Sequence, residues 1–373
     1  MSRGPVSRII LQPTPFCNID CTYCYLPQRA VHTPMPMQVI QAVGDLLARS
    51  GMLAERVEVR WHAGEPLTVP IAFYDEAYRL LFDALGSQTS LYFSLQTNGT
   101  LIDERWCDFF RLREFEVGVS IDGPAALHDA YRVTRQGNGT HARTMRGVER
   151  LRAHGIPFDV ISVVTENTLC HTSEYLDFMT GLRPRSLGLN PEETEGSHSS
   201  DLFAAGSFRQ DYTRFLAEVY AWQAATGIRV RQFAAMRELI LHGEFPLRND
   251  QAEPLMMLSV TADGRMSTFS PELLGWLAPE FDDFTFGNVL DPGASLARWS
   301  DGFVRLAEQI EQGVKACGRS CSYFALCGGG APANKWAENH SFASTQTAAC
   351  QANNMAVADV VLAALGLEQG HGR

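Results

Sequence analysis

The sequence predicts an α/β fold, a partial (β/α)6 barrel followed by a smaller lobe, from three observations. Six short apolar runs alternate with six stretches whose apolar residues recur three or four apart. That alternation stops near residue 235. A chain of 373 residues with 45% hydrophobic content can bury the core of one large α/β domain plus a smaller unit.

The apolar runs at 8–12, 57–61, 91–95, 115–121, 158–164 and 185–189 read as strands. Between and after them, 36–50, 70–85, 103–111, 141–153, 172–181 and 208–226 carry helical periodicity. Strands that alternate with helices form a parallel sheet, and six units rather than eight give a TIM-like barrel with an open side. The division expected is 1–235 for the barrel and 236–373 for a lobe of short strands, turns and a closing helix over 351–366. Residues 190–200, Asn-Pro-Glu-Glu-Thr-Glu-Gly-Ser-His-Ser-Ser, read as a mobile polar loop after the sixth strand.

A net charge of -11 argues against nucleic acid or an anionic membrane as partner, since both need a basic surface. No run of 18 apolar residues and no signal-peptide core is present, so a soluble, cytoplasmic protein is expected. In that compartment nine cysteines are read as thiols rather than disulfides. Seven fall in two groups, 17/21/24 and 317/321/327/350, which suggests metal; Cys107 and Cys170 read as core packing.

Cys17, Cys21 and Cys24 follow the first strand in the spacing CxxxCxxC. On a helix the first and last would lie about 10 Å apart along the axis, too far to grip one cube, and Pro13, Pro15 and Pro27 point to a loop. Three thiolates on a 4Fe-4S cube leave one iron open to a small molecule. A three-thiolate zinc site, a redox pair or buried free cysteines fit the same spacing. Three later strand ends place small or polar residues beside glycine: His62-Ala63-Gly64-Glu65-Pro66, Asn98-Gly99-Thr100 and Ser120-Ile121-Asp122-Gly123. The carboxyl ends of parallel strands are where such folds bind ligands, although each run also suits an ordinary turn.

With Tyr23 before the third cysteine and Ala63-Gly-Glu-Pro66 in place of Gly-Gly-Glu-Pro, the chain resembles the radical S-adenosylmethionine superfamily. The resemblance implies that Cys17, Cys21 and Cys24 hold three irons and that S-adenosylmethionine chelates the fourth. Tyr23 would lie near the adenine, Ala63, Gly64, Glu65 and Pro66 near the amino group, and Asn98, Ser120 and Arg132 near the ribose or carboxylate. Ala63 departs from the usual glycine by one methyl, which leaves the carbonyl available.

Cys317, Cys321, Cys327 and Cys350 supply the four thiolates that close a cube, or a zinc ribbon. The segment resembles the SPASM extension of peptide-modifying radical enzymes, whose fuller form carries two auxiliary clusters. Here Phe269, five residues after Gly264, and Ala331 stand where the first of those would have cysteines. The resemblance therefore implies two 4Fe-4S clusters in total, one bound to S-adenosylmethionine and one auxiliary.

The runs Gln12 to Cys17, Trp61 to Pro66 and Cys327 to Lys335 narrow the likeness to cyclophane-forming peptide maturases of the GrrM and FxsB type. That likeness implies a ribosomal precursor peptide as partner, a flavodoxin- or ferredoxin-type electron donor, and a carbon-carbon bond between an aromatic ring and a nearby β-carbon. With the cysteine loop starting by residue 17, leader recognition is expected to fall to the barrel rim, the C-terminal lobe or another chain. Restoring the ring's aromaticity needs a proton acceptor; the candidates are Glu192, Glu193, Glu195, His62 and Asp122. Thioether formation or oxidation of a serine or cysteine side chain is the alternative. From a different class, an iron-sulfur electron carrier or a zinc-binding module would need no ligand cradle round an open iron.

Overall fold

The computed structural model describes residues 4–196, 198–200, 202–204, 207–243, 245 and 248–367. The six expected strands form as β1 (Val6–Leu11), β2 (Leu53–Trp61), β3 (Ser90–Thr97), β4 (Glu116–Ser120), β5 (Phe158–Val164) and β6 (Ser186–Pro191). Each pairs in parallel with the next. The helices between them lie within two residues of expectation: Met37–Ser50, Ile71–Leu85, Glu104–Leu112, His141–Ala153, Thr172–Leu182 and Phe208–Thr226.

Among the described residues the sheet does not close. A short β7 (Arg229–Val230) extends it beyond β6. On the other side β8 (Met257–Val260) runs parallel to β1, and β9 (Arg265–Ser267) and β10 (Gly287–Asn288) continue antiparallel. The final order is β10-β9-β8-β1-β2-β3-β4-β5-β6-β7, so the chain beyond residue 235 enters the same sheet as the barrel strands.

Alternation decides which side of each strand is buried. In β5 Phe158, Val160, Ser162 and Val164 are buried while Asp159, Ile161 and Val163 are less so, the period of two that a strand covered on one face requires. Beneath the first helices, Trp61 is fully buried and meets Phe73 and Tyr74 edge-on at 5.5 and 5.0 Å; Trp106 meets Tyr74 at 5.5 Å. A polar cavity of about 470 Å³, lined by Arg60, Ser94, Gln96, Asp159, Arg185 and Arg231 among others, lies against the sheet.

The structure adds helices where the sequence reading expected turns. The largest runs from Asp301 to Ser320, starts where the Ser300 side chain accepts from Phe303 N at 3.3 Å, and buries Phe303, Leu306, Ala307, Ile310 and Cys317 on one face. Its signal was the serine cap followed by apolar residues three and four apart. Arg231–His242 and Pro332–Asn339 are also helical. The closing helix, expected over 351–366, is α-helical only over Val357–Ala364; Gln351–Ala356 before it is wound more widely, as a π-helix. Cys107 is buried as expected, whereas Cys170 ends the short helix Glu166–Cys170 and is exposed. No helix among the described residues is long and apolar enough to cross a membrane.

Trp61→Ala should lower stability by about 3–5 kcal/mol, the cost of emptying a large aromatic site that its neighbours cannot refill. Chemical denaturation of the apoprotein measures it.

Candidate active site

Residues 12–36 leave β1 without helix or strand, as three thiols facing one centre require. The loop is stapled on several sides. Cys17 N donates to Arg29 O at 3.0 Å, Asp20 N to Val133 O at 2.7 Å and Thr22 N to Tyr131 O at 2.9 Å. Arg29 donates to Cys21 O at 3.1 Å, and Arg135 to Cys17 O at 3.0 Å. Burial pushes the Cys17 thiol up to about 12, helped by the nearby Glu65 and by Cys21 and Cys24. Burial likewise takes Cys21 up to about 11 against the opposing pull of Arg132.

The turn after β2 locks that loop to the sheet. A Cβ on Gly64 would stand 2.3 Å from Thr14 O and 2.6 Å from Phe16 O, so only glycine allows the loop backbone this close. Glu65 N donates to Phe16 O at 2.7 Å. The Glu65 carboxylate is buried and accepts from Leu67 N at 2.9 Å, Thr97 Oγ1 at 2.7 Å and Asn98 N at 2.8 Å. Burial lifts Glu65 to about 7 despite those three donors. Pro66 O accepts from the Tyr74 hydroxyl at 2.7 Å. Ala63 sits at φ +73°, the left-handed region that a glycine would enter freely and a side chain does not.

Asn98 reaches the cysteine loop from the end of β3, donating to Asn18 Oδ1 at 2.8 Å and lying 3.8 Å from Cys17 Sγ. Ser120, at the end of β4, accepts from Gln96 Nε2 at 2.9 Å. Asp122 is buried and fully engaged: Arg132 Nε and Nη2 donate to it at 2.9 and 3.2 Å, Val163 N at 2.9 Å, and the Tyr23 hydroxyl also donates to it. Arg132 in turn lies 3.9 Å from Cys21 Sγ and 5.4 Å from the centre of the Tyr23 ring. Buried Asp122, Arg132 and Cys21 and the half-buried Tyr23 thus form one connected group. His62 is held in a crevice with Gln12, Tyr25 and Leu274, and burial pushes it down to about 4.

The polar stretch after β6 is not a free solvated loop over its first residues. Glu192 accepts from His198 Nε2 at 2.9 Å. Glu193 accepts from Asn334 Nδ2 at 2.6 Å and from Asn353 Nδ2, while Glu195 accepts from Asn334 at 3.4 Å. Burial raises Glu193, and burial with the neighbouring Glu193 charge raises Glu195 well above the carboxylate range. Glu272 is pushed up to about 7 by burial and by Glu193. Tyr25, one residue after Cys24, feels both Glu272 and Glu195. Asn334, Asn353 and Glu272 were not among the expected site residues. Asn334 lies within the run from Cys327 to Lys335; nothing local marks the other two.

The second set of cysteines lines one cavity of about 260 Å³, with Lys335, Thr347 and Asn354 among its other walls. Donors point at three of the four sulfurs: Gly329 N at 3.4 Å from Cys327 Sγ, Thr347 N at 3.3 Å from Cys350 Sγ, and Lys335 Nζ at 3.5 Å from Cys317 Sγ. Gly329 takes φ +108°, and a Cβ there would meet Val314 at 2.9 Å. Among the described residues, no three His, Cys, Asp or Glu side chains converge closely enough to hold a single metal ion. Phe269 is fully buried and stacks on Phe303 at 5.9 Å.

The fold and this site set a loop of three thiols at the carboxyl ends of a parallel sheet. Residues 11–179 match the profile of the radical SAM superfamily. The chain is 39% identical to the uncharacterized protein sll1766 of Synechocystis sp. (strain ATCC 27184 / PCC 6803 / Kazusa), covering 97% of this chain and 92% of that one. It is 25% identical to a cysteine-type anaerobic sulfatase-maturating enzyme of Clostridium perfringens (strain 13 / Type A), over 87% of this chain and 88% of the relative. Among solved structures, native anSMEcpe with bound AdoMet and Cp18Cys peptide aligns with a TM-score of 0.76 at 22% identity, covering 97% of this chain and 98% of that one. Streptococcus suis SuiB bound to precursor peptide SuiA aligns at 0.61 and 14%, over 93% and 76%. The chain belongs to the radical SAM superfamily.

Members of that superfamily bind a 4Fe-4S cluster and S-adenosylmethionine. The residues here fit the group. Three thiols on one irregular loop are soft donors suited to iron, and Asn98 Nδ2 at 3.8 Å from Cys17 Sγ and Arg132 at 3.9 Å from Cys21 Sγ favour the thiolate form that binds it.

Ala63→Gly should raise apoprotein stability by about 1 kcal/mol, because relief of the left-handed strain outweighs the looser unfolded chain; thermal melting reads it. A pH test follows from Glu272. Its proton affinity is raised on folding, so its contribution is complete below about 4.5 and lost as pH rises through about 7. Glu272→Gln should therefore gain on the wild type steadily between those values in melts of the apoprotein.

Proposed function

We propose that this enzyme modifies a ribosomally made precursor peptide by joining an aromatic ring to the β-carbon of a nearby residue. The observation that carries the reading is the half-buried pair Glu193 and Glu195. Glu193 is held by Asn334 and Asn353 and Glu195 by Asn334, and Glu195 lies close enough to Tyr25, the residue after Cys24, to act on its hydroxyl. Forming such a bond removes one hydrogen atom from the β-carbon, then one electron and one proton from the ring. A carboxylate of raised proton affinity is suited to take that proton. His62, pushed down to about 4, is a weak acceptor, and Asp122 is occupied by Arg132.

Cys17, Cys21 and Cys24 would hold the radical-generating cluster; Cys317, Cys321, Cys327 and Cys350 would hold an auxiliary one. When bound, the first with S-adenosylmethionine supplies a hydrogen-abstracting radical and the second a one-electron acceptor. A cavity of about 260 Å³ suits a cube better than one zinc ion with thiolates about 2.3 Å away. The fully buried Phe269 fills the position of a ligand to a further cluster, which supports two clusters rather than three. Gly64 keeps the loop seated. Asn98, Ser120, Arg132 and Tyr23 would line the S-adenosylmethionine side of the site. The division near residue 235 then separates radical generation from electron acceptance, and a flavodoxin- or ferredoxin-type protein of the cytoplasm would deliver the first electron.

Oxidation of a serine or cysteine side chain is the second reading, favoured by the likeness to the Clostridium perfringens sulfatase-maturating enzyme. The products separate them. The proposed reaction gives a peptide lighter by two hydrogens, crosslinked and without an aldehyde.

Anaerobic reconstitution should yield about eight irons per chain, from two four-iron cubes, and reduction with dithionite should release 5'-deoxyadenosine from S-adenosylmethionine. Cys24→Ala should abolish that release. With an aromatic-rich peptide encoded beside the gene as substrate, Glu193→Gln should slow crosslinking by about 10²-fold or more while 5'-deoxyadenosine still forms. An aldehyde product from the wild type would overturn the crosslinking assignment.

A further inference from the structure

We propose that Lys335 raises the reduction potential of an auxiliary centre held by Cys317, Cys321, Cys327 and Cys350, fitting it to take the electron removed from the substrate ring. This rests on the reading above that these cysteines hold an iron-sulfur cluster.

Lys335 is 3% exposed, and among the described residues its ammonium makes no ion pair and donates its one hydrogen bond to Cys317 Sγ at 3.5 Å. The other buried cation beside a thiol, Arg132, is neutralised by a twofold contact with Asp122. A buried ammonium without a counter-charge is costly. A cube carrying four thiolates is anionic and would supply that counter-charge. The surroundings make room for the ammonium. A Cβ at Gly313 would lie 3.0 Å from Lys335 Nζ and 2.1 Å from Phe342 O. Arg209, on the cavity wall, is paired with Asp359 at 3.1 Å.

A fixed positive charge at a sulfur ligand favours the state with one more electron, and so does an N–H donor. The placement also matches the reaction. Asn334, the preceding residue of the same helix, holds Glu193, so consecutive residues contact the proposed proton acceptor and the proposed electron acceptor. In the oxidation step the ring loses one electron to the auxiliary centre and one proton to the Glu193–Glu195 pair.

The test uses the full chain carrying Cys17→Ala, Cys21→Ala and Cys24→Ala, so that only the auxiliary centre contributes, with its midpoint followed by electron paramagnetic resonance during redox titration. Lys335→Met should weaken one-electron reduction tenfold or more, a fall of at least 59 mV for a one-electron couple. Lys335→Gln, which still donates a hydrogen bond, should shift it in the same direction by less. If Lys335→Met fails to retain iron, the glutamine variant decides. Unchanged potentials in loaded variants overturn the proposal, as does loss of iron from both variants when the parent keeps it. Absence of iron from the parent is a different result: it removes the auxiliary-cluster reading and this proposal with it.

Discussion

One buried carboxylate, Glu65, joins the ends of two strands to the cysteine loop, and the geometry of the site follows from it. Its side chain takes hydrogen bonds from the turn after β2 and from the end of β3, while its backbone N–H holds Phe16 O. Gly64 lets the loop backbone approach closely enough for that bond to form. Asn98, whose N–H Glu65 fixes, then reaches Asn18 and Cys17. A loop with neither helix nor strand is thus positioned by polar contacts made to the ends of β2 and β3.

The same economy recurs round the sulfurs. Each cysteine group has one buried cation close to a thiol, Arg132 by Cys21 and Lys335 by Cys317, and amide donors beside others. Hydrogen bonds and positive charge stabilise a thiolate over a thiol, which is the form that binds metal. The two cations differ in one respect with chemical consequences: Arg132 is shared with Asp122 and Lys335 is not.

Glu193, Glu195 and Glu272 form a half-buried carboxylate set drawn together from residues far apart in the chain. Like charges buried together hold protons more tightly than isolated carboxylates do. Two asparagines keep the set from being purely repulsive. Nothing in the glutamate spacing distinguishes this arrangement from a solvated acidic loop.

Local pattern alone placed β1 to β6 and their helices, because periods of two and of three to four are imposed by neighbours within a few residues. The cysteine spacing, Gly64 and the glycine-bearing strand ends were legible for the same reason. The helix Asp301–Ser320 also carries a readable cap and apolar stripe in its local sequence. Other features needed the folded chain. Asn334 and Glu193 are 141 residues apart, and only packing of the last helices against β6 turns an acidic loop into a half-buried, hydrogen-bonded pair. Lys335, one of two lysines in the chain, reads as a surface charge until the fold buries it to 3% exposure. Sequence determined which residues can ligate; tertiary structure decided which charges lose their solvent, because burial depends on contacts that no local window contains.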